Sequence, residues 1–194
     1  MRILIATQNP DKFRIVKSLL SRCGLPDCEF KSLTDVNIAS QTKEYGTLKN
    51  RALMKVQYAY AAIGKNKKFD AYIGIDYGMK YKDGDIDENS KEITENILSN
   101  GFLEIGEKII NVRAFAFLNE EGKVLDQFEA EIPFKFIGNP RGIELQNAGY
   151  PLGYVLAPLE RDKPMREMET EKAMDYYLLF LGKYLKKSIS KMKR

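Results

Sequence analysis

The chain has 194 residues, of which 44% are hydrophobic and 30% charged, with a net charge of +4 and no histidine. This length suits one domain or two closely joined lobes around a real core. The lack of histidine excludes a Ser-His-Asp triad, His-ligated zinc and imidazole acid–base chemistry, so proton transfer falls to carboxylates, lysine, tyrosine or metal-bound water. No run reaches the roughly 18 apolar residues of a membrane span, and the first residues lack a signal-peptide pattern, so a cytoplasmic protein is expected. Cys23 and Cys28 are spaced for neither a zinc pair nor a redox C-x-x-C and read as reduced structural thiols. Lys183, Lys186, Lys187, Lys191, Lys193 and Arg194 supply the positive excess. They read as a solvated helix end rather than a nucleic-acid contact.

Ile3–Ala6 is a short apolar run that reads as a buried strand, and Phe13, Val16, Leu19 and Leu20 recur at helical spacing. Between them Asn9 suits an N-cap and Pro10 the first helical residue. Cys28–Leu33 resembles a second strand. Thr47 to about Gly64 is a long amphipathic helix, its stripe formed by Leu48, Ala52, Val56, Ala59 and Ile63. Asp70–Asp76 reads as an apolar strand ending in an acid, Lys82–Asn89 as a loop, and residues 91–100 as a short helix. Ile109–Leu118 and Val124–Ile137 are β-rich and joined by Asn119–Lys123, a hairpin signal. Asn139–Gly149 is a Gly/Pro-punctuated loop, Tyr154–Ala157 a further strand, and Glu167 onward a helix. The pattern predicts a mixed α/β fold with parallel and antiparallel pairing.

The strand–helix junction carries the first chemistry. It places free backbone N–H groups, the Thr7 hydroxyl, the Asn9 amide and the Lys12 ammonium at the C-terminal end of a strand, where anions and ligands collect in α/β sheets. The same residues also make an ordinary capped turn with a solvated Lys12. Glu44 precedes the long helix, Lys55 lies on the border of its apolar stripe, and Asp76 ends a strand. Two lysines for phosphate charge, two carboxylates for a divalent cation and a candidate base suffice for phosphoryl chemistry. The acidic run Asp83–Glu88 is no calcium loop, because it lacks glycine at the sixth position and glutamate at the twelfth.

In order, these residues resemble the inosine triphosphate pyrophosphatase-like superfamily, which includes the non-standard purine NTP pyrophosphatases and the inosine/xanthosine triphosphatases. The Thr-x-Asn-x-x-Lys signature stands here as Thr7-Gln-Asn9-Pro-Asp-Lys12, with Ala6 before it. Glu44-Tyr-Gly46 and Ala52-Leu-Met-Lys55 follow, and Asn50-Arg51-Ala52 is closer to the inosine/xanthosine branch. Where the purine branch has Asp-Asp-Ser-Gly, this chain has Ile75-Asp76-Tyr77-Gly78, keeping the second acid and losing the first. Arg113-Ala114, Pro140-Arg141-Gly142, and Glu167-Met168 with Glu171-Lys172 echo the same branch. Its base-reading Ser-His-Arg is replaced by Tyr176-Tyr177-Leu178, and the acid of its Gly-Tyr-Asp-Pro element is missing from Gly149–Tyr154. Purine specificity is therefore not carried over.

The resemblance implies a long bent mixed β-sheet flanked by helices, with two lobes around a central cleft, formed by residues 1–194 as one domain. It implies hydrolysis of a nucleoside triphosphate to monophosphate and pyrophosphate with Mg²⁺, Mn²⁺ serving as an alternative, in a homodimer that engages no membrane. Thr7, Asn9 and Lys12 would hold the phosphate tail and Lys172 would reach the nucleotide. Lys55 would balance charge, Glu44 and Asp76 would position the metal, and Asp76 would orient or deprotonate the attacking water. A nucleotide-binding protein that has lost catalysis is the alternative, and a basic nucleic-acid binder resting on the lysine tail ranks below both.

Overall fold

The computed structural model describes residues 1–40, 45–63, 69–80, 86–87, 103–138 and 152–193. Strand β1 (Arg2–Ile5) leads into helix α1 (Pro10–Arg22), then β2 (Glu29–Ser32), a 3₁₀ turn at Thr34–Val36 and helix α2 (Leu48–Ile63). Strands β3 (Ala71–Lys80), β4 (Ile86–Asp87), β5 (Lys108–Asn119) and β6 (Val124–Phe136) follow. A helical turn at Leu152–Val155 runs into β7 (Leu156–Ala157), and a 3₁₀ turn at Met165–Glu167 precedes the last helix, Thr170–Met192. The seven strands described form one mixed sheet in the order β2-β1-β3-β5-β6-β7, with β4 beside β3. Among the described residues no helix is long and apolar enough to cross a membrane.

Contacts divide the chain into two compact units. The first comprises Met1–Asp76, Arg113–Ala130 and Leu178–Arg194; the second comprises Tyr77–Val112 and Glu131–Tyr177. In the first, β1 pairs in parallel with β2 (Arg2 opposite Glu29) and with β3 (Ile3 opposite Ala71). Parallel neighbours need crossovers, which α1 and α2 supply on the way to opposite sides of β1. The strand order reverses at β1, and ligands collect beyond the carboxyl ends at such a switch point. Ile3, Leu4 and Ile5 are completely buried, as are Leu19 and Leu20 of α1 and Ala52, Val56 and Ala59 of α2. In the second unit β6 pairs antiparallel with β7, with Lys135 opposite Ala157.

Gly74 sets how closely α2 lies on β3. A Cβ built there would stand 2.0 Å from the Ala52 carbonyl oxygen, so the helix backbone rests directly on the strand. At the β5–β6 turn, Gly122 has φ +79° and a Cβ there would meet the Tyr60 ring at 2.5 Å. The Asn119 side-chain oxygen accepts hydrogen bonds from the Glu121 and Lys123 N–H groups and closes this turn.

Four expectations change. Asp76 does not end its strand: it is the sixth of ten residues in β3, which continues through Tyr77 and Gly78. The continuation is held where the buried Asn111 amide donates to the Gly78 carbonyl oxygen. Within the supposed loop 82–89, Ile86 and Asp87 are a strand because they pair antiparallel with Lys80 and Met79. Of Tyr154–Ala157 only the last two residues are extended, since Leu152–Val155 close a helical turn first. The last helix starts at Thr170, because Met165–Glu167 form their own 3₁₀ turn and Met168 is extended. The helix expected at 91–100, the loop at 139–149, Pro140-Arg141-Gly142 and Glu44 lie outside the described residues.

Candidate active site

The junction after β1 folds as its sequence dictates. Asn9 is extended (φ −73°, ψ 116°), and its side-chain oxygen accepts from the N–H groups of Asp11 at 2.9 Å and Lys12 at 3.0 Å. The Thr7 hydroxyl accepts from the Asn9 N–H at 3.1 Å, and the Phe13 N–H donates to the Asn9 carbonyl at 3.0 Å. The free N–H groups expected at this helix start are therefore occupied, and an anion here cannot depend on them. What remains is side-chain chemistry. Among the described residues the Thr7 hydroxyl proton and the Asn9 NH₂ have no acceptor, and both residues line a cavity together with Lys12 and Lys55.

Asp76 is the centre of the charge arrangement. It is only 2% exposed, yet three cations surround it. Lys55 Nζ stands 2.8 Å from Oδ1, Lys12 Nζ 3.7 Å from Oδ1, and Arg51 Nε 2.8 Å from Oδ2. Oδ2 is fully buried and accepts no aligned hydrogen bond, so its contact with Arg51 is electrostatic. Local structure makes the cluster. Asp76 follows Gly74 by two residues and so shares its face of β3, the face against α2. On α2, Arg51 and Lys55 are four residues apart and occupy one face. The close approach at Gly74 brings that face within reach of the carboxylate. A buried carboxylate needs such compensation, since an unpaired charge in the interior is strongly unfavourable.

A metal has one described carboxylate to meet. No group of three potential ligands occurs among the described residues. Mg²⁺ commonly takes one or two carboxylates and completes its shell with phosphate oxygens and water. Asp76 can supply one such carboxylate only through Oδ1, since Oδ2 is buried against Arg51; an ion that arrives with a polyphosphate would take the place Lys55 and Lys12 hold beside Oδ1. Ile75 stands where the purine branch has its first acid, and it is buried at 3% exposure.

Thr7, Asn9, Lys12 and Lys55 line one cavity, and Lys12 and Lys55 also meet Asp76; Lys172 belongs to the other unit. It is half exposed and paired with Glu169 at 2.9 Å. Arg51 was missed as a site residue, although its spacing from Lys55 was the available signal. Tyr58, three residues beyond Lys55 and lining the same cavity, was missed too. The Tyr176-Tyr177 pair has another use. The Tyr176 hydroxyl donates to the Pro133 carbonyl, and both rings pack on Phe134, with Tyr177 only 2% exposed. These positions build the core of the second unit. Lys193 and Lys191 of the basic tail also work within the fold, bonding the Gly24 carbonyl and pairing with Asp126.

Compared by sequence, the chain matches no family model and no curated protein. Compared by structure, it is similar to a nucleoside-triphosphatase / dITP/XTP pyrophosphatase from Mycobacterium abscessus, at TM-score 0.55 and 21% identity over 95% of this chain and 96% of that one. A HAM1 protein from Coxiella burnetii aligns at TM-score 0.62 and 12% identity over 98% of both chains. The Ham1 protein of Staphylococcus aureus aligns at TM-score 0.55 and 17% identity over 88% of both. With likeness spanning nearly the whole chain, the protein shares the α/β fold of these pyrophosphatase and Ham1 structures.

Proposed function

We propose that the protein hydrolyses a nucleoside triphosphate between its α- and β-phosphates, releasing monophosphate and pyrophosphate, and that non-standard nucleotides are among its substrates. The carrying observation is the buried Asp76 carboxylate with Lys12, Lys55 and Arg51 around it, beside a cavity that Thr7 and Asn9 line with unspent donors. The fold shared with the dITP/XTP pyrophosphatase of M. abscessus supports the same reading. Lys12, Thr7 and Asn9 bind the phosphate tail. Lys55 and Arg51 offset charge that develops on the transferred group, which is where electrostatic catalysis acts. Asp76 accepts a hydrogen bond from the attacking water and orients it. Asp76 and Glu44 would hold Mg²⁺, which when bound neutralises phosphate charge and polarises the scissile group.

Pyrophosphate release from a panel of standard and modified nucleoside triphosphates tests this. Asp76→Asn and Lys55→Met should each lower turnover by about 10²–10³. Turnover that Asp76→Asn and Glu44→Gln both leave intact would refute the assignment. A second reading, binding without chemistry, draws on Ile75 in place of the first acid. It expects nucleotide to raise the melting temperature while no pyrophosphate appears.

A further inference from the structure

Helix α2 carries a stripe of three residues, Arg51, Lys55 and Tyr58, spaced four and three apart and so aligned along one face. Its first two members meet Asp76; Lys55 and Tyr58 line the cavity of about 170 Å³ beyond the β1 switch point. The cavity has two kinds of wall. Thr7, Asn9, Lys12 and Lys55 offer donors and charge, while Ala6, Leu33, Ile75 and Tyr58 offer apolar surface. Tyr58 is 38% exposed, and its hydroxyl has no hydrogen-bond partner among the described residues. An exposed ring normally turns to open solvent or to a partner; this one edges a cavity that Lys12 and Lys55 also line.

We infer that Tyr58 is the residue that makes the site prefer a nucleotide to a bare polyphosphate, by stacking against the nucleobase while Lys12 and Lys55 hold the phosphates. The inference rests on the nucleotide reading above and deepens it. Lys55 and Tyr58 are separated by about 4.5 Å of helical rise, so one ligand spans both side chains. Every base has a π-face, and stacking on an aromatic side chain is tolerant of base identity. The substrate class is therefore nucleoside triphosphates with weak discrimination among bases. The positions that replace the base-reading motif do not compete for this role, because Tyr176 and Tyr177 are packed on Phe134.

Calorimetric titration with the α,β-methylene analogue of ATP and with tripolyphosphate, both in Mg²⁺, tests the inference. The wild-type protein should bind the nucleotide about tenfold or more tightly than tripolyphosphate, in keeping with one stacked base. Tyr58→Ala should erase that preference and leave tripolyphosphate affinity unchanged, and Tyr58→Phe should retain it. Equal affinities in the wild-type protein, or a Tyr58→Ala loss shared by both ligands, would overturn the role of Tyr58 and leave the phosphate site standing. Binding of neither ligand would overturn the nucleotide reading along with it.

Discussion

Asn9 does two jobs with two different atoms. Its oxygen caps α1, and its amide NH₂, which has no acceptor among the described residues, belongs to a side chain that lines the cavity. The jobs can be separated. Asn9→Ala should cost about 1 kcal/mol of stability, within the 0.5–2 kcal/mol range for a lost cap, read as a shift in urea midpoint. Asn9→Asp keeps the capping oxygen, so stability should recover while a carboxylate now faces the phosphate and binding fails. The local grammar of this junction was legible in sequence, because capping depends on neighbours only a few residues away. The availability of its backbone N–H groups was not, because Asn9 serves both as cap and as signature residue. Asp76 was legible as a residue and misplaced as a position. A buried acid inside an apolar run looks like a strand end until its three distant cations are seen.

Between elements, the contact of α2 with β3 governs the site more than any single side chain. Gly74→Ala would drive a methyl against the Ala52 carbonyl, a backbone atom that cannot swing aside. Overpacking of this kind costs about 1–3 kcal/mol, and a misplacement near 1 Å at reacting groups can cost about 10²-fold in rate. Gly74→Ala should therefore lower both the melting temperature and turnover, although residue 74 touches no ligand. Unaltered turnover in a folded Gly74→Ala protein would show that the helix seats elsewhere. The long helix and the hairpin were legible because their periodicity and turn residues are strong. β4 was not, since a two-residue strand within an acidic run exists only through its pairing with Met79 and Lys80.

At the scale of the molecule, the last helix is tied to β6 in the first unit by a polar contact that depends on pH. Asp126 accepts from Ser188 Oγ at 2.9 Å and meets Lys191 Nζ at 2.8 Å. Partial burial pushes its carboxyl upward, but Lys191 and Ser188 together outweigh burial and hold it below the ordinary value of 3.8. A folded-state pKa below the unfolded one contributes stability that is full above the unfolded value and is lost as pH falls through the folded value. Asp126→Asn should thus be less stable than wild type at pH 7, with the gap narrowing below about pH 4. Urea midpoints at pH 7 and pH 3 measure it, and a gap that stays constant would exclude this linkage. The α/β class was legible from the alternation of apolar runs and amphipathic stripes. The division into two units was not, because β3, β5, β6 and the last helix each contribute residues to both.

The glycine contact has a final consequence for the history this chain can tolerate. With Ala52 and Gly74 touching, α2 behaves like a gear with one meshing tooth. Inserting or deleting a residue between Ala52 and Lys55 turns the helix by about 100° and presents Met54 or Val56 where Lys55 stood. Length changes before Leu48 or after Ile63 leave the mesh intact. Variation in length is thus free at both ends of α2 and forbidden from Arg51 to Lys55, the five residues that fix where Asp76 finds two of its three cations.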